Sequence, residues 1–255
     1  MRTYAYDLLV NDKRIDGRKM DDYRKVELKQ GIIKNAEGSA VCKMGNTKII
    51  VGVKMGIGTP FADTPDDGNL IVNAEFTPLA SPEFEAGPPG EDATELARVV
   101  DRGIRESESV DFKKLCITAG EKVWMMNVDI HIINHDGNLI DCAFIAAMAA
   151  LMDTKVPKIK DDKILRGEYE SELSVVHAPI EVTVCKVEDK FVIDPTREEE
   201  SAVDTKLTVC VREDDKICAL QKQGPKDLGM DDIRLMVETA IAKSAELRKL
   251  LKPKR

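Results

Sequence analysis

The stretch that decides the fold is residues 128–151, VDIHIINHDGNLIDCAFIAAMAAL. Apolar residues at every second position from 128 to 132 predict a half-buried strand. The turn-forming run NHDGN at 134–138 ends this strand, and the small apolar residues at 143–151 predict a buried helix. A helix that follows a strand and a loop presents unpaired backbone N–H groups at its start, and such a helix start is suited to binding an anion.

The composition is that of a globular protein, with 43% hydrophobic and 33% charged residues in a chain of 255. A net charge of -8 argues against a freestanding nucleic-acid-binding protein, because such binding needs positive potential. The chain contains no apolar run long enough for a membrane span, and the N-terminal residues lack the pattern of a signal peptide. We therefore expect a cytoplasmic protein that does not associate with a membrane.

The six cysteines show neither CxxC spacing nor a neighbouring histidine that would complete a zinc site. Small buried hydrophobic residues in a reducing compartment are the interpretation we favour for them. We expect no metal site and no cofactor.

The rest of the chain predicts hairpins followed by a helix, once in each half. Hairpins are predicted at 39–55, at 180–194 and at 206–221, and long helices at 91–106 and 231–251. The charged segment 152–170, interrupted by a proline, is interpreted as a linking loop. This order predicts an α+β fold in which mixed β-sheets with flanking helices form two pseudo-equivalent halves, at residues 12–165 and 175–255.

The helix predicted at 91–106 carries three arginines on one face. Arg98, Arg102 and Arg105 follow one another at spacings of four and three residues, so their side chains share a ridge that suits successive phosphates. The plainer interpretation is a solvated face in which Asp101 pairs with Arg98 or Arg105, and the spacing alone favours it.

An ordered set of motifs resembles a known family. The set comprises IDGR at 15–18, VELKQGIIKNAEGSAVCKMGNTKIIVGV at 26–53, ELARVVDRGIR at 95–105 and HDGNLIDCAFIAAMAAL at 135–151, followed by an acidic loop. Each motif is weak alone, but in this order they resemble the RNase PH family over nearly the whole chain. Within that family they are most similar to subunits of the archaeal exosome core, of the type that carries no active site.

The resemblance implies a fold, an assembly and a reaction. The fold would be RNase PH-like, and the assembly an alternating hexameric ring of active and inactive subunits with RNA-binding cap subunits. Active members of the family degrade single-stranded RNA from its 3′ end by phosphorolysis, in which inorganic phosphate attacks the last phosphodiester and releases a nucleoside diphosphate. The expected partners are therefore an active-type RNase PH-like subunit, the cap subunits and RNA.

The phosphate site of active members is degenerate in this sequence. Where the family carries glycine, then serine or threonine, then arginine, the matching positions read Asn138, Leu139 and Ile140. Leucine and isoleucine side chains donate no hydrogen bond and carry no charge, and Asp141 next to them is expected to repel phosphate.

The acidic loop of active members, with two aspartates six residues apart, is also altered. The matching positions are Glu200 and Lys206, and lysine cannot replace a carboxylate as a metal ligand. A register shifted by two residues would instead place Asp204 at the second position.

These departures predict a non-catalytic structural and RNA-contacting subunit of the exosome that has no catalytic residues of its own and supports the active site of its partner. The predicted RNA-contacting residues are Arg98, Arg102, Arg105, Lys113 and Lys114. The alternative is an autonomous phosphorolytic 3′→5′ exoribonuclease. A third reading is an unrelated small-molecule enzyme that uses His131 and His135, although lone histidines at a strand end are more often structural.

Overall fold

The computed structural model describes residues 4–161 and 163–251. The helices are α1 (Tyr4–Leu9), α2 (Glu91–Glu106), α3 (Leu139–Asp153), α4 (Arg197–Glu200) and α5 (Met230–Arg248), with a 3₁₀ helix at Phe112–Leu115. The strands are β1 (Val26–Gln30), β2 (Gly38–Met44), β3 (Thr47–Gly58), β4 (Asn69–Phe76), β5 (Cys116–Thr118), β6 (Lys122–Asn134), β7 (Lys155–Lys160), β8 (Lys163–Glu172), β9 (Ile180–Val187), β10 (Lys190–Ile193), β11 (Thr205–Val211) and β12 (Ile217–Gln223).

The described residues form two large sheets and the two-stranded β7–β8 sheet. The first sheet has the order β1-β2-β3-β6-β4, with β5 added to β6, and only the β4–β6 pair is parallel. The second sheet has the order β10-β9-β11-β12 and is antiparallel throughout. The architecture confirms the predicted α+β class with mixed sheets and flanking helices.

Helix α3 is the central element of the core. Every residue from 141 to 151 is buried, and the helix contacts β2 and β3 of the first sheet and β9 of the second. A helix that is apolar on all sides is stable only when it is covered on all sides. The two sheets therefore share this helix, which joins them through one hydrophobic core.

The hairpins and the amphipathic helix predicted from the sequence are confirmed. Helix α2 spans the predicted residues 91–106, and its apolar stripe is buried at Leu96, Val100 and Ile104. Strand β6 also follows the predicted alternation, because its inward residues are buried while their neighbours are partly exposed.

Two expectations about the centre of the chain are wrong. Segment 152–170 is not a linking loop, because it forms most of the β7–β8 hairpin, in which Pro157 sits at a register shift. A proline at such an irregularity costs no regular ladder hydrogen bond, so a strand tolerates it there. Helix α3 begins at Leu139, four residues before the predicted start at 143, because the polar Asp141 in its first turn finds partners inside the core.

In the part of the chain that the structure describes, no helix is long and apolar enough to cross a membrane. The predicted second half ends at Arg255, and residues 252–255 lie outside the described residues.

Candidate functional site

The loop between β6 and α3 is held in place by the second half of the chain. Gly137 has a φ of 86°, and a Cβ atom at this position would collide with the carbonyl oxygen of Pro195. Asn138, which caps α3, also lies in the left-handed region with a φ of 53°. Glycine is the residue that tolerates both the conformation and the close approach at 137. The start of α3 is therefore fitted directly against the segment that leads into α4.

A carboxylate of the chain itself occupies the start of α3. The backbone N–H of Asn138 donates to Glu200 Oε1 at 3.0 Å, and Lys206 Nζ lies 3.2 Å from the same oxygen. Burial alone would lower the pKa of Lys206, but the neighbouring Glu200 carboxylate outweighs it and raises that pKa. The ion pair is mostly shielded from water, with 19% of the Glu200 side chain exposed. A side chain of the protein itself thus occupies the position at the start of α3 that favours an anion.

The side chains beside this ion pair give the cavity an apolar wall. Leu139 and Ile140 line a cavity of about 250 Å³, together with the rings of Phe76 and Phe84. None of these four side chains donates a hydrogen bond to an anion. The structure brings together the residues predicted to form the degenerate phosphate site and those predicted to form the degenerate acidic site.

The structure separates Asp204 from this group. Asp204 accepts a hydrogen bond from the backbone N–H of Glu188 at 2.8 Å and pairs with Lys226 at 2.9 Å. Partial burial acts to raise the pKa of Asp204, but the hydrogen bond from the Glu188 backbone and the contact with Lys226 outweigh it and keep that pKa below its usual value. Of the two registers considered for the acidic loop, the one that uses Lys206 places its second residue beside Glu200.

The Asp141 carboxylate, expected to repel phosphate, does not line the cavity at the start of α3, although its negative charge helps to raise the pKa of Lys206. The Asp141 carboxylate points into the core, where it accepts hydrogen bonds from Tyr23 Oη at 2.7 Å, the Thr183 backbone at 2.9 Å and Asn138 Nδ2 at 3.1 Å. Burial raises the pKa of Asp141 to about 6, although these hydrogen bonds act to lower it. Asp141 is adjacent to Ile140 in the sequence, but on the helix its side chain points into the core and not into the cavity.

The arginine face of α2 consists of Arg98, Arg102 and Arg105, all exposed. Arg105 Nε pairs with Asp101 at 2.8 Å, which is the plainer interpretation of the spacing. Arg102 Nη1 donates to Gln221 Oε1 at 3.0 Å, and Arg98 has no ion-pair partner among the described residues. One arginine of the face is therefore paired with an acid, one with a neutral amide, and one is available to a ligand.

The second basic location lies on the 3₁₀ helix. Lys113 and Lys114 are both exposed, and Lys114 Nζ contacts Ser174 Oγ at 3.1 Å and Asp111 at 3.4 Å. These two lysines are on a different element from the arginine face, so any joint role would need a ligand that spans both.

The two candidate histidines do not form a catalytic pair. His131 lies 3.3 Å from Glu75 on the first sheet. His135 stacks on Phe84 with ring centroids 5.4 Å apart, and its Nδ1 accepts the Gly137 backbone N–H. Burial lowers the pKa of His135, so this ring is neutral near pH 7. His135 serves to position the loop.

A buried ionic network beneath the site was missed in the sequence. Arg24 donates to both carboxylate oxygens of Asp194, and Asp194 also accepts from Asn138 Nδ2 at 3.1 Å. Arg14 pairs in the same way with the buried Glu199. Arg24 and Asp194 are 170 residues apart in the sequence, and Arg14 and Glu199 are 185 apart. No local spacing in the sequence therefore predicts these pairs.

No three His, Cys, Asp or Glu side chains within 4–161 and 163–251 are arranged to hold a metal ion. The six cysteines, all of them described, are free, and four are buried.

Two family models match most of the chain. Residues 22–157 match the model of the 3′ exoribonuclease family, domain 1, and residues 177–243 match domain 2 of the same family.

Curated relatives cover the chain at high identity. A protein of Methanosarcina mazei named "Exosome complex component Rrp42" is 47% identical over 249 residues, covering 98% of this chain and 92% of the relative. A protein of the same name from Archaeoglobus fulgidus is 53% identical over 223 residues, covering 88% of this chain and 85% of the relative.

Solved structures agree with this assignment. A chain of a structure described as "archaeoglobus fulgidus exosome with RNA bound to the active site" superposes with a TM-score of 0.92 at 49% identity, covering 98% of this chain and 96% of that one. A chain of "Archaeal exosome core" gives 0.86 at 45% identity, covering 97% and 96%. Rice Rrp46, at 18% identity and a TM-score of 0.70, shares the fold.

Proposed function

Because the chain belongs to the RNase PH family of 3′ exoribonucleases, we propose that it is a non-catalytic structural and RNA-contacting subunit of an archaeal-type exosome. It supports the active site of an adjacent RNase PH-like subunit. Its relatives of 45–53% identity are named as components of the exosome complex.

The proposal that this chain is not catalytic rests on one observation. The carboxylate of Glu200 accepts the Asn138 N–H at the start of α3, and Lys206 neutralises it. An incoming phosphate dianion would have to displace this carboxylate and leave it buried beside a second negative charge, which costs free energy.

The side chains required for phosphorolysis are also missing from the same place. An attacking phosphate must be held in line, and negative charge on the departing oxygen must be stabilised. Leu139 and Ile140 provide neither a charge nor a donor, and Lys206 stands where the active members carry an aspartate. A lysine whose pKa is raised is a poor general acid near neutrality.

The proposed partner is an active-type RNase PH-like subunit that alternates with this chain in a hexameric ring, with RNA-binding cap subunits above it. The match over 98% of this chain to a subunit of an RNA-bound exosome supports this assembly. The complex degrades single-stranded RNA from the 3′ end in the cytoplasm.

The arginine face is the proposed contact with RNA. Arg98 is exposed and without an acidic partner in the described structure, and Arg102 is held only by an amide, so both can take a phosphate without breaking an ion pair. Lys113 and Lys114 are proposed as secondary contacts. A chain of net negative charge can bind RNA through these arginines when its partner subunit supplies positive electrostatic potential around them.

The test is phosphorolysis of a single-stranded RNA by this chain alone, by the active-type partner alone and by the two mixed. We expect nucleoside diphosphates from the mixture and little or none from this chain alone, with the mixture faster than the partner. Phosphate-dependent release by this chain alone would refute the proposal and favour the autonomous nuclease.

A further inference from the structure

A buried carboxylic acid lies beneath the arginine face of α2. Glu181, on β9, is 1% exposed, and its Oε2 atom has no hydrogen-bond partner among the described residues. Buried polar atoms are nearly always paired, so an unpaired carboxyl oxygen calls for an explanation. Neither the phosphate site nor the RNA contacts proposed above make use of this residue.

The Glu181 carboxyl group is pressed against the backbone of α2. A Cβ atom at Gly103 would lie 2.5 Å from Glu181 Oε1, so the glycine makes room for the carboxyl beside the arginine that precedes it. Glu181 and Arg102 line the same small cavity between α2 and the second sheet. Its other lining residues are Val99, Thr208, Cys210, Ala219, Leu220 and Gln221. Among these lining residues, Arg102 is the one basic residue that shares the cavity with Glu181.

Two successive hydrogen bonds hold the Arg102 guanidinium at the surface. Its Nη1 donates to Gln221 Oε1 at 3.0 Å, and Gln221 Nε2 donates in turn to Glu95 Oε1 at 3.3 Å. A neutral amide is a weaker partner for a guanidinium than a carboxylate or a phosphate. Arg102 therefore has one weak partner on the surface and shares a cavity with a carboxyl group, which is a stronger partner when it is ionised.

We propose that Glu181 is a positioning residue for Arg102, because its carboxyl offers the guanidinium an inward position that competes with Gln221 and with an RNA phosphate. In the outward position, Arg102 joins Arg98 and Arg105 on the face presented to RNA. In the inward position, that face loses one of its three charges. The inference rests on the proposed function, since it takes the arginine face as the RNA contact.

The protonation state of Glu181 selects between the two positions. Burial raises the pKa of Glu181 well above its usual value, the charge of Asp141 raises it further, and Arg102 acts to lower it. The titratable or charged groups that face Glu181 are Arg102 from α2, Asp141 from α3 and Cys210 from β11, while β12 contributes only uncharged residues. As the pH rises through the raised pKa, the ionised carboxylate attracts Arg102 and draws it away from RNA.

The first experiment measures RNA affinity of the assembled complex between pH 6 and pH 9. With wild-type chain, we expect affinity to fall with rising pH by roughly tenfold more than with Glu181→Gln, which corresponds to one charge-assisted hydrogen bond. Glu95→Gln is the matched control, because it removes an acid of the same contact chain that is not buried, and it should keep the wild-type profile. Identical pH profiles for wild type and Glu181→Gln would overturn the inference.

The second experiment needs neither RNA nor the Glu181 variant. The Glu181 carboxyl is titrated by carbon-13 NMR in the full chain, in wild type, in Arg102→Ala and in Arg105→Ala. We expect Arg102→Ala to raise the Glu181 pKa and Arg105→Ala to leave it unchanged, because Arg105 is engaged by Asp101. An unchanged pKa in Arg102→Ala overturns the inference and leaves the proposed function untouched.

Discussion

The backbone N–H of Asn138 donates to Glu200 at 3.0 Å, so the first turn of α3 already holds an anion that its own chain supplies. Lys206 binds the same oxygen and balances its charge. A helix start of this kind is an anion site by its geometry. In this chain a glutamate side chain occupies the position that an external anion could otherwise take.

Introducing the side chains of active family members at positions 139, 140 and 206 should not give the chain alone the phosphorolytic activity of an active-type subunit. In the combined variant Leu139→Thr, Ile140→Arg and Lys206→Asp, we expect phosphorolysis by the chain alone to remain far below that of an active-type subunit. Glu200 stays at the helix start and loses its counter-charge, and positioning errors of about one ångström can cost roughly a hundredfold in rate. The measurement is phosphate-dependent release of nucleoside diphosphates, and a rate near that of the active-type subunit would contradict the expectation.

Removing two arginines from α2 should weaken RNA binding by the assembled complex. For Arg98→Ala with Arg105→Ala, we expect lower affinity and a salt dependence shallower by about 1.4 units of slope, since each of two phosphate contacts in a single strand contributes roughly 0.7. The measurement is affinity for a single-stranded RNA at several salt concentrations.

The matched control for the arginine pair is Lys25→Ala with Lys29→Ala. It removes the same charge at strand β1, which is the edge of the first sheet opposite the strand that packs against α2. It should leave both the affinity and the slope close to wild type. Equal effects of the two double variants would mean that α2 acts only through the overall charge of the chain.

Breaking the buried ionic network should destabilise the fold strongly. In Asp194→Ala, Arg24 and Asn138 lose a fully buried partner, and the loss of one member of a buried ion pair typically costs about 3–5 kcal/mol. Urea denaturation of the wild type and the variant measures the difference. Glu27→Ala, which breaks the exposed pair with Lys25, serves as the control and should leave the midpoint almost unchanged.

Asp141 should impose a pH dependence on stability that is opposite to that of most carboxylates. Its pKa is raised by burial from 3.8 to about 6, so its contribution is fully present below about pH 4 and is lost as the pH rises through 6. A shift of about two units corresponds to roughly 3 kcal/mol. We expect the stability difference between wild type and Asp141→Asn to become less favourable to the wild type between pH 4 and pH 7.

The measurement is urea denaturation at unit steps of pH across that range. Asp111→Asn, a substitution away from the buried helix α3, is the control and should follow the wild-type curve. If wild type and Asp141→Asn differ by a constant amount at every pH, Asp141 does not titrate in this window.

Local periodicity predicted the elements whose burial follows a regular pattern. Helix α2 was predicted at its observed residues because its apolar stripe repeats at helical spacing and faces one surface. The degenerate phosphate site at Asn138, Leu139 and Ile140 stays a prediction, which rests on side-chain chemistry that is visible in the sequence without any coordinates. The order of the motifs indicates that these three residues and Glu200 belong to one site, and the structure places them around one cavity.

Features that depend on distant partners were not predictable in this way. Asp141 has the sequence position of a loop residue, but two of its three hydrogen-bond donors, Tyr23 and Thr183, come from other parts of the fold. The β7–β8 hairpin was hidden by its charges and by Pro157, since an exposed ribbon has no strong apolar alternation. The ionic network under the site joins residues that no local pattern connects.

That network also fixes an order of events during synthesis on the ribosome. Arg14 and Arg24 leave the exit tunnel early, but Glu199 and Asp194, which hold them, are made 185 and 170 residues later. Until then, Arg14 lacks the Glu199 carboxylate, and Arg24 has only its contacts with Asp136 and Gly137. The N-terminal segment therefore gains these two ion pairs only after most of the chain has been made, and a nascent chain that stops before residue 194 lacks both.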